Sequence, residues 1–142
     1  MRIEHDIKLD YSDVLFKPKR STLTSRKDVD LHRTFKFYNS GKEWTGVPIM
    51  ASNMDGVGTF AMAKVLQEQK MITVLRKHYT LDDWKYAIGD GVKMKYLAVC
   101  TGTGVIWDKD APDYNAMKKV LEKYPDVPFI CVDVANGYHE NY

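Results

Sequence analysis

Two charged side chains, Lys77 and Asp133, follow apolar runs of the sequence and have the chemistry to act together. Lys77 comes shortly after the run 71–75, and Asp133 ends the run 129–132, where a buried strand would normally give way to Gly, Pro, Asn or Ser. A lysine and a carboxylate across the mouth of a site can hold a ribose, an amide or each other. Alternatively, each is a solvated charge at the edge of the fold, or Asp133 starts a loop or caps a helix. The pattern alone leaves these interpretations open.

Two further stretches could contact a phosphate group. Ser25 and Arg26 lie in a basic run, residues 17–27, and offer a hydroxyl beside a guanidinium group; such a run is also typical of a solvated loop or a nuclear-localisation signal. The stretch 101–105, "TGTGV", is only part of a GxGxxG motif because Trp107 occupies the position of the third glycine, and it is typical of a tight turn between a strand and a helix. The sequence contains no zinc-ligand spacing, nucleophile elbow or Walker loop, so we predict no metal site in it.

The composition excludes several classes of protein. Of the 142 residues, 44% are hydrophobic and 28% are charged, which is typical of a soluble globular protein of about one domain. The net charge of +2 is too small to indicate a nucleic-acid or membrane surface. No apolar stretch approaches the ~20 residues of a membrane helix, and the start of the chain lacks a signal-peptide core. Cys100 and Cys131 lie in apolar runs without CxxC spacing, so we predict reduced core thiols in a cytoplasmic protein.

The elements that must position Lys77 and Asp133 alternate along the chain from residue 47 onward. Four continuous apolar runs predict strands buried on both faces, and three stretches with helical spacing of apolar residues separate them. Thr80 is a predicted helix cap, with Asp82 and Asp83 in the first turn. The order βαβαβαβ predicts a parallel sheet covered by helices, with Asn53, Lys77 and Asp133 at the carboxyl ends of the strands, where such sheets bind ligands. The predicted strands are 47–52, 71–75, 96–100 and 128–135, and the predicted helices are 59–70, 80–89 and 111–124.

The first 46 residues have a different pattern, in which short apolar pieces alternate with turns. The alternation in 34–38, "TFKFY", predicts a strand, which we interpret as one arm of a hairpin that plugs an end of the sheet.

Several motifs, in order and spacing, resemble the GMP reductases, which form one β/α-barrel family with the inosine monophosphate dehydrogenases. These motifs are "DVLFKPKRSTLTSRKDVDL", "TGVPIMASNMDGVGTFAMAKVL", "RKHY", "GTG" and "DVANGYHE". The resemblance implies an α/β fold, the amino-terminal half of a (β/α)8 TIM barrel with about four parallel strands behind an irregular, hairpin-containing segment. We therefore expect one partial domain, with the amino-terminal segment over 1–46 and the first βα units over 47–142.

The same resemblance implies an activity and its residues. Members reduce GMP with NADPH to IMP and ammonia, through a cysteine thiolate that attacks purine C2, in a cytoplasmic homotetramer with a potassium ion. The catalytic cysteine and the potassium ligands would lie beyond Tyr142, so we expect this chain alone to be inactive. The positions that match are Lys77 and Asp133 as supporting catalytic and cofactor-binding residues, Val134, Ala135, Ser25 and Arg26 for the cofactor (the last two from a neighbouring subunit), and Ser52 and Met54 for the substrate.

Two departures and two alternatives accompany the resemblance. Gly56 stands where the family usually has threonine, and Arg76 stands where it usually has histidine, next to Lys77. An inosine monophosphate dehydrogenase is the closer alternative, but it usually carries an inserted domain where only residues 89–95 separate the second helix from the third strand. The other alternative is a non-catalytic half-barrel that binds nucleotide or associates with full-length subunits.

Overall fold

Two units make up the computed structural model, which describes residue 3 and residues 5–102 and 110–138. The units are Met1–Asp30 and Leu31–Tyr142. The predicted division of the chain at residue 46 stays a prediction. Among the described residues, no helix has the length and apolar character needed to cross a membrane.

The first unit contains two short 3-10 helices, Tyr11–Asp13 and Arg26–Asp28. Each is closed by a capping box, in which the side chain before the helix and the side chain of its third residue exchange hydrogen bonds with backbone N–H groups. The caps are Asp10 with Asp13, and Ser25 with Asp28. Neither helix has a buried residue. Local polar contacts therefore organise this unit.

The second unit contains an antiparallel hairpin and a parallel sheet with helical connections. The hairpin consists of β1, Arg33–Lys36, and β2, Glu43–Gly46, in which Phe35 lies opposite Trp44. The sheet has four strands in the order β3-β4-β5-β6, all parallel, which confirms the predicted α/β architecture and is consistent with half of a TIM barrel. The strands are β1 Arg33–Lys36, β2 Glu43–Gly46, β3 Met50–Ala51, β4 Ile72–Val74, β5 Leu97–Thr101 and β6 Phe129–Val132, and the helices are α1 Phe60–Leu66, α2 Leu81–Gly89 and α3 Pro112–Lys123.

The sheet separates two hydrophobic clusters. On one face, Leu97 and Val99 of β5 and Leu75, directly after β4, pack with helix residues that include Trp84 and Met117. The residues between them pack with Trp44 of the hairpin, and these are Ile72, Val74, Ala98 and Cys100. The central strands β4 and β5 are buried on both faces, as their continuous apolar runs predicted. The outer strand β6 differs from that prediction, since its alternate residues Ile130 and Val132 are exposed at the edge of the sheet.

The hairpin covers the amino-terminal end of the sheet, as predicted from its alternating sequence. The indole Nε1 of Trp44 donates to the carbonyl of Lys95, just before β5, at 3.2 Å. The rings of Phe37 and Trp44 pack edge-on against Phe129, the first residue of β6, with centroids 5.5 and 6.2 Å away. The opposite, carboxyl end of the sheet is therefore the end available for ligands.

Several predicted elements are shorter than their apolar patterns, and β6, for example, covers four of its eight predicted residues. Strand β3 covers two of the six predicted residues, because Pro48 has no N–H to donate to a neighbouring strand. Helix α1 ends at Leu66 and continues as a 3-10 turn to Gln69, because Lys70 takes a left-handed conformation with φ of 54°. The predicted cap at Thr80 is confirmed, since its hydroxyl accepts from the N–H of Asp83 at 3.2 Å. The hydrogen bonds that Thr80 donates lower the pKa of Asp83.

Candidate functional site

A hydrogen bond between Asn53 and Asp133 joins the first and last strands of the parallel sheet at their carboxyl ends. The Nδ2 group of Asn53 donates to Oδ2 of Asp133 at 2.8 Å and to Sγ of Cys100 at 3.2 Å. In a flat sheet, strands three places apart are separated by about 14 Å, which two short side chains cannot bridge. The loop after β3 and the end of β6 are therefore drawn toward each other, as expected for part of a barrel.

Lys77 forms an ion pair with Asp113, in the first turn of α3, instead of pairing with Asp133. The Nζ of Lys77 lies 2.8 Å from Oδ2 of Asp113, and 37% of each side chain is exposed. The hydrogen bond with Asp113 and its charge raise the pKa of Lys77, and Cys100 and Asp133 add smaller favourable contributions against the opposing effect of burial. Lys77 is therefore a protonated cation at neutral pH, and both charges suggested by the sequence have specific partners.

Gly102 lets this ion pair approach the end of β5. A Cβ atom at position 102 would lie 2.8 Å from Oδ2 of Asp113 and 3.5 Å from Nζ of Lys77. The first glycine of "TGTGV" thus makes room for side chains, besides its expected part in a tight turn. Thr103 and Gly104 of the same motif, like Trp107, lie outside the described residues.

Cys100 and Cys131 are register partners on β5 and β6, and both are free thiols, as predicted. Burial raises the pKa of Cys100 to about 11, although the hydrogen bond from Asn53 acts in the opposite direction. Burial also raises the pKa of Cys131. Both groups are therefore protonated at neutral pH and poorly suited to nucleophilic attack, for which the thiolate is required.

Alkylation of Cys100 by iodoacetamide at pH 8 is expected to be about 100-fold slower in the folded chain than in the chain unfolded in urea. Two pKa units separate Cys100 from an ordinary thiol, and each unit lowers the thiolate fraction about tenfold in this pH range. Because the folded pKa is raised, the rate should climb steadily up to about pH 11. Mass spectrometry of the peptide that contains Cys100 measures the rate. Equal rates in both states would contradict the buried, protonated thiol.

The other predicted site residues lie on three segments. Ser52 and Met54 follow β3, and both are exposed. Val134 and Ala135 follow Asp133, just past the end of β6, so these four residues lie at the same end of the sheet as Lys77 and Asp133. Ser25 and Arg26 belong to the first unit, where the Ser25 hydroxyl accepts a hydrogen bond from the N–H of Lys27 at 3.2 Å.

The two departures from the family pattern have different surroundings. Nothing lies within 4 Å of a Cβ atom built on Gly56, so the position has room for a larger side chain. The guanidinium of Arg76 lies 4.6 Å from the ring centroid of Tyr79 and 4.0 Å from a carboxylate oxygen of Asp55. The added charge of Arg76 therefore interacts with the aromatic ring of Tyr79 and with the carboxylate of Asp55 in the loop after β3.

Sequence reasoning missed Asp113, which follows Pro112 in an amphipathic helix and has no signal that separates it from other first-turn acids. It included Asn53 at the carboxyl end of the sheet but not its bond to Asp133. A metal site is not indicated, since the described part of the chain has no group of three or more His, Cys, Asp or Glu residues that could hold an ion.

Comparison with known proteins connects these positions to named relatives. No protein-family model matches the chain. The chain is 49% identical over 142 residues to GMP reductase 1 of Mus musculus and to that of Homo sapiens, and 47% identical over 144 residues to GMP reductase of Escherichia coli O1:K1. Each match covers 99–100% of this chain but only 39–40% of the relative, so the chain spans about two fifths of their length. The chain therefore resembles part of the GMP reductases over its whole length, as its motifs predicted.

Proposed function

We propose that this chain forms the cofactor-side half of the active site of a GMP reductase, an enzyme that reduces GMP with NADPH to IMP and ammonia. The observation that carries the proposal is the Asn53–Asp133 bond, which brings together the two outer strands of the sheet at its ligand-binding end. It does so at residues that match the family motifs, in a chain 47–49% identical to proteins named GMP reductase.

Asp133 has the chemistry to hold a ribose. Asn53 orients the carboxylate through Oδ2, and among the described residues it is the only hydrogen-bond partner of the Asp133 side chain. The other oxygen can accept a hydrogen bond from a ribose hydroxyl group. Val134 and Ala135 continue the contact along the same backbone. The side chains thus fit the nicotinamide ribose of NADPH, which when bound supplies the hydride for purine C2.

Lys77 supplies a fixed positive charge at the same end of the sheet. Its raised pKa keeps the ammonium group protonated, so it can donate hydrogen bonds to the cofactor while the reaction proceeds. Ser52 and Met54, on the loop after β3, would face the purine nucleotide. Ser25 and Arg26 would reach the cofactor of a neighbouring subunit in a tetramer, with Arg26 suited to a phosphate group.

The nucleophilic cysteine would come from another part of the enzyme, together with the potassium ligands. Cys100 and Cys131 are unsuited to the role because burial keeps their thiols protonated. The reductase is favoured over an inosine monophosphate dehydrogenase by the short connection between α2 and β5, which consists only of residues 90–96.

The proposal is tested with a chimaera in which this chain replaces the matching two fifths of Escherichia coli GMP reductase. We expect GMP-dependent oxidation of NADPH, with kcat/KM for NADPH lowered about 10- to 100-fold by Asp133→Asn or Lys77→Met, since each removes a charged hydrogen-bond partner. Lys85→Met, the same change at an exposed lysine of α2, is the matched control.

A folded chimaera without activity would refute the proposal and favour a non-catalytic half-barrel. Retention of the full kcat/KM in both the Asp133 and the Lys77 variants would refute the assigned cofactor contacts.

A further inference from the structure

The Lys77–Asp113 pair is built into the end of the sheet and does not resemble a chance surface contact. Lys77 lies in the loop after β4 and Asp113 in the first turn of α3, so the 2.8 Å contact joins two successive βα units. Gly102, directly after β5, lies against both side chains, and a Cβ atom there would lie 2.8 Å from Oδ2 of Asp113 and displace that carboxylate. The pair is thus confined by the backbone on one side and open to solvent on the other.

Its position distinguishes this pair from a second short ion pair in the same unit. Lys64 and Asp90 approach to 2.6 Å between α1 and the end of α2, with about half of each side chain exposed. That pair joins the outer helices, whereas Lys77 lies close enough to Asp133 for the charge of that carboxylate to help raise the pKa of Lys77. Exposed ion pairs contribute little to folding stability, so stability does not explain why a pair is held at the ligand-binding end.

We propose that Asp113 is a positioning residue that holds the ammonium group of Lys77 in place at the carboxyl end of the sheet. The proposal rests on the proposed function, because it assumes that Lys77 contacts the cofactor. A lysine side chain has four rotatable carbon–carbon bonds, and its partner selects one orientation from the many that solvent would allow. Asp113 thereby supplies a hydrogen-bond acceptor that fixes Lys77 before a ligand arrives.

The pair is tested first on the full 142-residue chain by competitive acetylation with acetic anhydride. The charged groups that face Lys77 are Asp113 and Asp133, with the Cys100 thiol nearby, and Asp113 has the largest effect. Removing its charge should lower the pKa of Lys77, so Asp113→Asn should raise the acetylation rate of Lys77 at pH 9 toward that of Lys85. Asp113→Glu should restore part of the protection. Asp90→Asn, which removes the partner of Lys64 in the second ion pair, is the matched control and should leave the acetylation of Lys77 unchanged.

The positioning role is tested next in the active chimaera. Asp113→Asn is expected to lower kcat/KM for NADPH about tenfold, since loss of an orienting group misplaces the contact without removing it. Adding Asp113→Asn to Lys77→Met should have little further effect, because Asp113 acts only through Lys77. A purely structural role would lower the activity equally in both backgrounds.

Three results would overturn the inference, and they are distinguishable. Unchanged acetylation of Lys77 in Asp113→Asn would show that the pair does not form. An active chimaera that keeps its full kcat/KM with Asp113→Asn, or loses activity additively with Lys77→Met, would exclude positioning alone. A chimaera that is inactive before any substitution would instead overturn the proposed function on which the positioning role depends.

Discussion

Replacing Trp84 with alanine is expected to lower the free energy of unfolding by about 3–5 kcal/mol, the usual range for deleting a buried aromatic side chain. Trp84 lies on α2 and only 2% of it is exposed. Its ring packs edge-on against Phe60 of α1, with centroids 5.3 Å apart, and is stacked with Tyr124 at the end of α3 at 5.9 Å. The substitution therefore leaves a cavity where α1, α2 and α3 meet. Urea unfolding followed by far-ultraviolet circular dichroism measures the loss.

Tyr86 provides a matched control on the same helix, two residues after Trp84. It is 78% exposed, so Tyr86→Ala should change the free energy of unfolding by no more than about 0.5 kcal/mol. If Trp84→Ala proves too unstable to purify, Trp84→Phe tests the same cavity with a smaller change. Equal effects of Trp84→Ala and Tyr86→Ala would contradict the position of Trp84 in the core.

Replacing Gly58 with alanine is expected to destabilise the fold by about 1–3 kcal/mol and to disturb the site as well. A Cβ atom here would lie 2.5 Å from the carbonyl oxygen of Val74 and 2.8 Å from Cα of Asn53, and backbone atoms cannot rotate away. Gly58 also accepts a hydrogen bond from the N–H of Arg76 at 2.9 Å. The loops after β3 and β4 must therefore separate, and Asn53 must move.

The local part of this effect is measured by alkylation of Cys100, which accepts a hydrogen bond from Asn53. We expect Gly58→Ala to accelerate the reaction under conditions where the chain remains folded, because separation of the loops reduces the burial that raises the pKa of Cys100, and burial outweighs the opposing hydrogen bond from Asn53. Gly56→Ala is the control in the same loop, since a Cβ atom at Gly56 meets nothing within 4 Å and should have little effect on stability. An unchanged unfolding free energy and alkylation rate in Gly58→Ala would show that the loops are not packed in this way.

The sequence was sufficient to predict the central strands of the sheet, because burial of β4 and β5 on both faces leaves continuous apolar runs. The apolar run of β6 predicted a strand but not the exposure of its alternate residues, which follows from its place at the edge of the sheet. The sequence also predicted the cap of α2 at Thr80, since a capping hydroxyl acts over three residues. The lengths of β3 and α1 depended on Pro48 and on the left-handed Lys70, whose effects the apolar pattern does not record.

The partners at the site were less predictable for a different reason. Lys77 and Asp113 are 36 positions apart, and Asn53 and Asp133 are 80 apart, so only the assembled sheet decides which polar groups meet. Sequence position could assign Lys77 and Asp133 to the same end of the sheet. It could not decide whether they pair with each other or each with a different residue. The second arrangement is the one observed.

The Asn53–Asp133 bond also couples the binding of a ligand to the stability of the whole sheet. The bond can form only when the strands between these residues are already paired, so the closed site exists only in the assembled sheet. A molecule that binds the closed site and not the unfolded chain adds its binding free energy to that of the fold, in proportion to the logarithm of its concentration. Ligand binding and the unfolding of the sheet are thus thermodynamically linked. A saturating ligand stabilises all four strands together, and the stabilisation is lost when the ligand is removed.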